Sequence, residues 1–247
     1  MNVMRSTTLV AVTTLSLAFA GSSALAGPIG LVDDFSGNLA AYTATRILDA
    51  NGGASNAQAW QITAGALELS TTTFDGIEQH ALTRTDFSLG IGEQLRVDFN
   101  PGYTGTQDIG LYVGAGHPTP DVRANYVNVY VRNNGQIFSR GFNGATEFAL
   151  AGGATPANID TLFIGRLSTD TFELGYFDGA IKNVLTTRTI GSGNAAGVGS
   201  AIGLYADVRA TGIVGNLDNL RIVPEPASCL LALAGLIGVG LWRKRVR

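Results

Sequence analysis

Apolar and polar residues alternate in short runs along most of the chain, and glycine, asparagine or aspartate breaks the runs every few residues. Leu67 and Leu69 alternate with Glu68 and Ser70, Leu95, Val97 and Phe99 with Gln94, Arg96 and Asp98, and Ile109, Leu111 and Val113 with Asp108, Gly110 and Tyr112. A period of two puts each apolar set on one face of a strand. The cleanest run is Tyr126 to Arg132, with Val127, Val129 and Val131 on one face and Tyr126, Asn128, Tyr130 and Arg132 on the other. Further strands are predicted at Ile137 to Arg140, Leu162 to Leu167, Thr171 to Phe177, Ala180 to Thr187, Ala201 to Val208 and Leu217 to Val223. Asn133-Asn134-Gly135 and Asp178-Gly179 suit hairpin turns that need a positive φ. Strands that each bury one face must stack as two sheets, so the pattern predicts an all-β sandwich.

Both ends of the chain depart from this alternation. Met1 to Ser6 carries Arg5 and no acid, Leu9 to Ala20 is apolar with Thr and Ser, and Ala24-Leu25-Ala26 offers small residues around a cleavage point before Gly27. That is the pattern of a secretory signal peptide over residues 1–26, and it makes signal peptidase the first processing partner. At the other end, Cys229 to Trp242 holds no charge. A helix from Ala227 to Trp242 rises about 24 Å at about 1.5 Å per residue, against a hydrocarbon core of about 30 Å, so the predicted span is thin. Arg243, Lys244, Arg245 and Arg247 follow it and hold the C-terminus on the cytoplasmic side, with the body outside. Ahead of the run stands Val223-Pro224-Glu225-Pro226. Its two prolines lack an amide donor, so the box is predicted as an unwound strand that Glu225 keeps in water.

Box, apolar run and basic cluster, in that order, resemble the PEP-CTERM sorting signal of Gram-negative bacteria. The resemblance implies an inner-membrane intermediate, cleavage near Pro224, Glu225 and Pro226 by an exosortase, and delivery to the cell surface or the extracellular matrix. The chain thus divides into a signal peptide (1–26), a β-sandwich domain (27–223) and a sorting signal with a short transmembrane helix and basic tail (224–247).

Between the two signals, eleven Lys and Arg stand against eighteen Asp and Glu. An acidic surface argues against nucleic acid as a partner. Cys229, in the apolar run, is the single cysteine, so the body has neither disulfide nor thiol chemistry. Glu68, Glu78, Glu93, Glu147 and Glu173 are not spaced as the paired carboxylates of a retaining glycosidase strand. His80 and His117 are the two histidines; no Gly-x-Ser-x-Gly elbow accompanies them, and with no cysteine in the body they make no zinc spacing. His80 is read as a surface or hairpin residue, His117 as a loop residue, and Gly191 to Gly203 as a flexible hairpin. No catalytic residues are assigned, and the body is expected not to be an enzyme.

Asp33-Asp34-Phe35-Ser36-Gly37, Trp60-Gln61-Ile62 with Gly65 to Leu69, the Thr171 to Gly179 hairpin, and Gly203-Leu204-Tyr205 with Leu217 to Ile222 resemble a concanavalin A-like, laminin-G-like jelly roll. The resemblance implies that the first and last strands pair, bringing Asp33 or Asp34 near Asp218. Asp34 and Asp218 then either share a structural calcium or cap turns. Tyr126, Asn128, Tyr130 and Arg132 make either a saccharide-binding face or a solvated outer face with cross-strand aromatic pairs. Proteins with this sorting signal accompany exopolysaccharide production, so the expected function is an exported matrix or surface protein that binds polysaccharide without catalysis in exopolysaccharide or biofilm. The alternatives are a hydrolase acting on polysaccharide with an unrecognised site, and an adhesion protein whose tail is never cut.

Overall fold

The alternating runs form strands. The computed structural model describes residues 30–52, 56–99, 107–156 and 159–225. The signal peptide, Pro226, the apolar run with Cys229, and Arg243, Lys244, Arg245 and Arg247 lie outside them. In chain order the strands are β1 (Leu31–Asp33), β2 (Thr43–Asp49), β3 (Ala57–Thr63), β4 (Ala66–Thr73), β5 (Glu78–Arg84), β6 (Glu93–Phe99), β7 (Asp108–Ala115) and β8 (Tyr126–Val131). They continue as β9 (Ile137–Asn143), β10 (Thr146–Glu147), β11 (Ala151–Ala154), β12 (Thr161–Arg166), β13 (Thr171–Asp178), β14 (Ile181–Thr189), β15 (Val198–Val208) and β16 (Gly212–Pro224). Among the described residues no helix is long and apolar enough to cross a membrane.

The strands make two antiparallel sheets of eight, the jelly-roll β-sandwich expected from the sequence. One sheet runs β14-β13-β12-β6-β16-β4-β3, with β1 on β16; the other runs β10-β9-β8-β7-β15-β5-β2, with β11 on β9. The first and last strands pair as expected, Leu31 opposite Arg221 and Asp33 opposite Leu220. The core between the sheets is aliphatic and follows the alternation. Leu67, Leu69, Leu95, Val97, Leu162, Ile164 and Leu217 from the first sheet meet Ile109, Leu111, Val127, Val129, Ile202 and Leu204 from the second.

Turn chemistry closes the two predicted hairpins: Gly135 (φ 78°) lies between β8 and β9, and Gly179 (φ 58°) between β13 and β14. Gly191 to Gly203 is not a hairpin. Its first part is a turn in which Asn194 and Ala195 donate back to Gly191, and from Val198 it is already β15, hydrogen-bonded to β7. Strands β2 and β5 are not predicted by alternation, and they form the far edge of the second sheet.

Candidate functional site

β3 ends one sheet and β2 ends the other, so the sandwich is open where these two edges face each other. Alternate residues of β5, namely Glu78, His80 and Leu82, point into the gap, because Leu82 belongs to the core and residues two apart share a face. Beyond Leu82 the filling changes from aliphatic to polar, leaving an open cavity of about 560 Å³. Leu39, Tyr42 and Trp60 give it apolar walls; Arg46, Asn56, Gln58, Glu78, His80 and Asp121 give it polar ones.

The polar groups are fixed by one another. Glu78 is 1% exposed, and both its oxygens are occupied. Oε1 accepts from the Asn56 amide at 3.0 Å and from Arg46 Nη1 at 3.4 Å, while Oε2 accepts from Gln58 Nε2 at 2.5 Å and lies 2.9 Å from His80 Nε2. A buried carboxylate held this way costs far less than an unpaired one. His80 is 8% exposed, and burial lowers its pKa against the opposing pull of Glu78, so the imidazole is neutral at pH 7. Arg46 grips Asp121 with both arms of its fork, at 2.8 and 2.9 Å, and this hydrogen bonding lowers the Asp121 pKa. Asp121 sits at φ 57°, a turn position that carries its carboxylate across to β2. On the apolar side Arg84 lies over the Tyr42 ring, 5.2 Å from its centroid. Trp60 Nε1 and Gln58 Oε1 are buried without a hydrogen-bond partner.

The carboxylates of the cavity are held in place by hydrogen bonds. Both oxygens of Glu78 are occupied, and both of Asp121 accept from Arg46. Sequence reasoning missed the site because its residues come from four separate segments, and it took His80 for a surface or hairpin residue. His80 instead lies inside β5, facing the gap. His117 does lie in a loop, after β7, its Nδ1 2.8 Å from Thr83 Oγ1.

The strand β8 presents Tyr126, Asn128 and Tyr130 opposite the core valines, with Arg132 next along, as the alternation predicts. The face is not solvated. Tyr126 is 2% exposed and Tyr130 and Asn128 are fully buried, so these rings do not form an open platform. The reason lies in the neighbouring strands. Tyr130 pairs with Gly110, which pairs in turn with Tyr205, and Tyr126 pairs with Gly114, so rings cluster over glycines. Tyr112 stacks on Tyr126 at 5.0 Å, Tyr205 packs on Tyr130 at 5.5 Å, and Arg132 covers Phe138 at 4.1 Å.

Asp34 and Asp218 each cap a local turn. Asp34 Oδ1 accepts from the Ser36 amide at 3.0 Å and the Ser36 hydroxyl at 2.7 Å, and these bonds lower its pKa. Asp218 Oδ1 accepts from the Asn219 amide at 2.7 Å, beside a second cavity of about 480 Å³ that also holds Asp98 and Asp160. Asp98 is bound to Arg221 and Thr161, and Asp160 to the Gly179 amide. Among the described residues no three His, Cys, Asp or Glu side chains converge as a metal's ligands.

Two of the three sorting-motif residues are described: they are not unwound, and while Pro224 is exposed, the Glu225 side chain is largely covered. Val223 and Pro224 pair with Gln94 and Glu93 of β6, and the Glu225 amide donates to Gly92 O at 2.8 Å. The Glu225 carboxylate accepts from Gln94 Nε2 at 2.5 Å and lies 3.5 Å from Lys182 Nζ. Pro224 stays in the sheet because a proline needs no donor where β16 leaves its partner.

Fold and cavity define the class: a jelly-roll β-sandwich protein with a mixed aromatic and polar cavity at its open edge. No protein-family model matches the chain, and no curated protein is similar to it. Among solved structures it is similar to the Ca2+-bound exoplasmic/lumenal domain of VIP36, at 11% identity and TM-score 0.48 over 79% of this chain and 89% of that one. The same domain bound to Ca2+ and Man3GlcNAc matches at 10% identity and TM-score 0.45, over 79% and 87%. The Bacteroides ovatus xyloglucan PUL GH43B matches at 19% identity and TM-score 0.39, over 66% of this chain and 34% of that one.

Proposed function

We propose that the chain is an exported protein of the cell surface or extracellular matrix that binds polysaccharide without cleaving it. The observation that carries this reading is the edge cavity, in which the rings of Trp60 and Tyr42 stand beside Asn56, Gln58, Arg46 and Asp121. A saccharide presents apolar C–H faces and a fringe of hydroxyls, and such a ligand uses a ring and planar polar groups together. Non-catalytic binding is supported by the occupied oxygens of the buried Glu78. Export is supported by the sequence of residues 1–26 and by Pro224, Glu225 and Pro226 with the apolar run and basic cluster. We assign signal peptidase and an exosortase as processing partners and the inner membrane as a transit compartment. A structural calcium is not part of this reading.

A shallow edge cavity holds one or two sugar units, so affinity per site is weak and many copies on one surface act through avidity. The test is retention of the purified chain on the producer's own exopolysaccharide. Trp60→Ala and Gln58→Ala variants with unchanged melting curves are expected to lose about tenfold in affinity. Release of reducing ends, or unchanged retention in both variants, overturns the proposal.

A further inference from the structure

The hydrogen-bonding capacity left over in the edge cavity is mostly that of an acceptor, and its charge is negative. Asn56 Nδ2 donates to Gly76 O at 2.9 Å, and Gln58 Nε2 donates to Glu78. The cation lining the cavity, Arg46, is shared among Asp121 at 2.8 Å, Asp49 at 3.1 Å and Glu78 at 3.4 Å, so three carboxylates surround one guanidinium. His80 adds no charge at neutral pH. The next cation, Arg84, is divided between Asp33 at 3.4 Å and Asp86 at 2.7 Å. What remains for a ligand is the rim carboxylate of Asp121, whose side chain is 47% exposed, beside the Trp60 ring.

We propose that this cavity selects saccharides bearing a free amine, such as deacetylated hexosamine units, and rejects uronic acids; the inference rests on the saccharide reading above. An ammonium brings three donors and a positive charge to a site that offers acceptors and negative charge. A uronate brings acceptors and a like charge, and it finds no guanidinium fork that is not already shared with carboxylates. A neutral sugar lies between the two. Acetylating the amine removes both the charge and two of its donors, so the N-acetyl form of the same oligomer is the matched comparison.

The experiment measures binding of the full chain to a glucosamine hexamer, its fully N-acetylated counterpart, a glucose hexamer and hexagalacturonate, by calorimetry at pH 6 and low salt, with hexalysine as competitor. A partly exposed ion pair supports about fivefold tighter binding of the glucosamine hexamer than of the N-acetylated one. Hexagalacturonate is expected not to bind. Trp60→Ala, and Trp60→Phe should the first variant not fold, is expected to weaken the glucosamine hexamer. Equal or tighter binding of hexagalacturonate overturns the amine preference and leaves the saccharide reading standing. Displacement of the hexamer by hexalysine at equal concentration overturns it as well, because attraction to the acidic surface then accounts for the result. Binding of none of the four oligosaccharides overturns the saccharide reading, and the inference with it.

Discussion

Tyr130 lies beside Gly110, and Gly110 has no room for a methyl group. A Cβ there would sit 2.0 Å from Val129 O and 2.5 Å from the Tyr130 Cα, both backbone atoms that cannot step aside. Gly110→Ala should therefore destabilise the protein by on the order of 3 kcal/mol, read as a lower urea midpoint at unchanged slope. A different cost is stored at the end of the same strand. Asp108 and Asp207 are directly opposite each other on β7 and β15, both nearly inaccessible, with Arg209 2.9 Å from Asp207 and Arg132 3.5 Å from Asp108. Burial, and then the Asp207 charge, push the Asp108 pKa up to about 6. Because the folded value is raised, folding favours the protonated form. That contribution is fully present below the ordinary carboxylate range and is lost as pH rises through about 6. Melting temperature should thus fall between pH 4 and 6.5, by the equivalent of about 2 kcal/mol from this group, and Asp108→Asn should flatten the profile. An equal slope in the variant would assign the effect to another group.

The strands that sequence reveals and those it hides differ in where their partners come from. In β4, β6, β7, β8 and β12 the apolar alternation alone names the buried face, since Leu67, Val97, Leu111, Val129 and Ile164 all lie in the core. β5 reads Glu-Gln-His-Ala-Leu-Thr-Arg and is buried along nearly its whole length. Its Glu78 is satisfied by groups 20 to 32 positions away, its Gln79 bonds Asp207 across 128, and Arg46 reaches Asp121 across 75. No local pattern signals such pairings, so the cavity was illegible while the fold was not. The β8 face shows the same limit, because its orientation is local but its exposure is set by glycines and rings on β7, β9 and β15. The end of β16 adds a case in which side chains decide whether a strand stops. Glu225 is tied to Gln94 and Lys182, and Lys182 also pairs with Glu173. Glu225→Gln should cost about 0.5 kcal/mol, since these pairs are partly exposed. It should speed amide exchange at Glu225, whose N–H is bonded to Gly92 O, without changing exchange in β8. Unchanged exchange at Glu225 would show that the backbone pairing with β6 alone holds the segment.

Across the whole molecule, β16 decides when the sandwich can close. It is the last strand among the described residues, yet it lies between β6 and β4 in the middle of its sheet and also carries β1. Without it, β3 and β4 have no bonded neighbour on the side facing β6, and the sheet separates into two pieces. Val214, Leu217 and Leu220 would leave the core, exposing the apolar faces of Leu67, Leu69 and Leu95 on either side. Burying those side chains is worth roughly 1.5–3 kcal/mol each, comparable in sum with the entire stability of a domain this size. No disulfide offsets the loss, because the single cysteine lies beyond the sandwich at Cys229. A chain ending at Thr211 should therefore not fold, whereas one ending at Glu225 should fold cooperatively with the strand content of the full protein. Far-UV circular dichroism and a urea transition on the two chains test this directly. A cooperative transition in the shorter chain would show that β6 and β4 close the sheet without β16. Since the pairing partners of β16 are more than a hundred residues upstream, folding should also be slow, as closure of long-range contacts precedes the burial that rewards it.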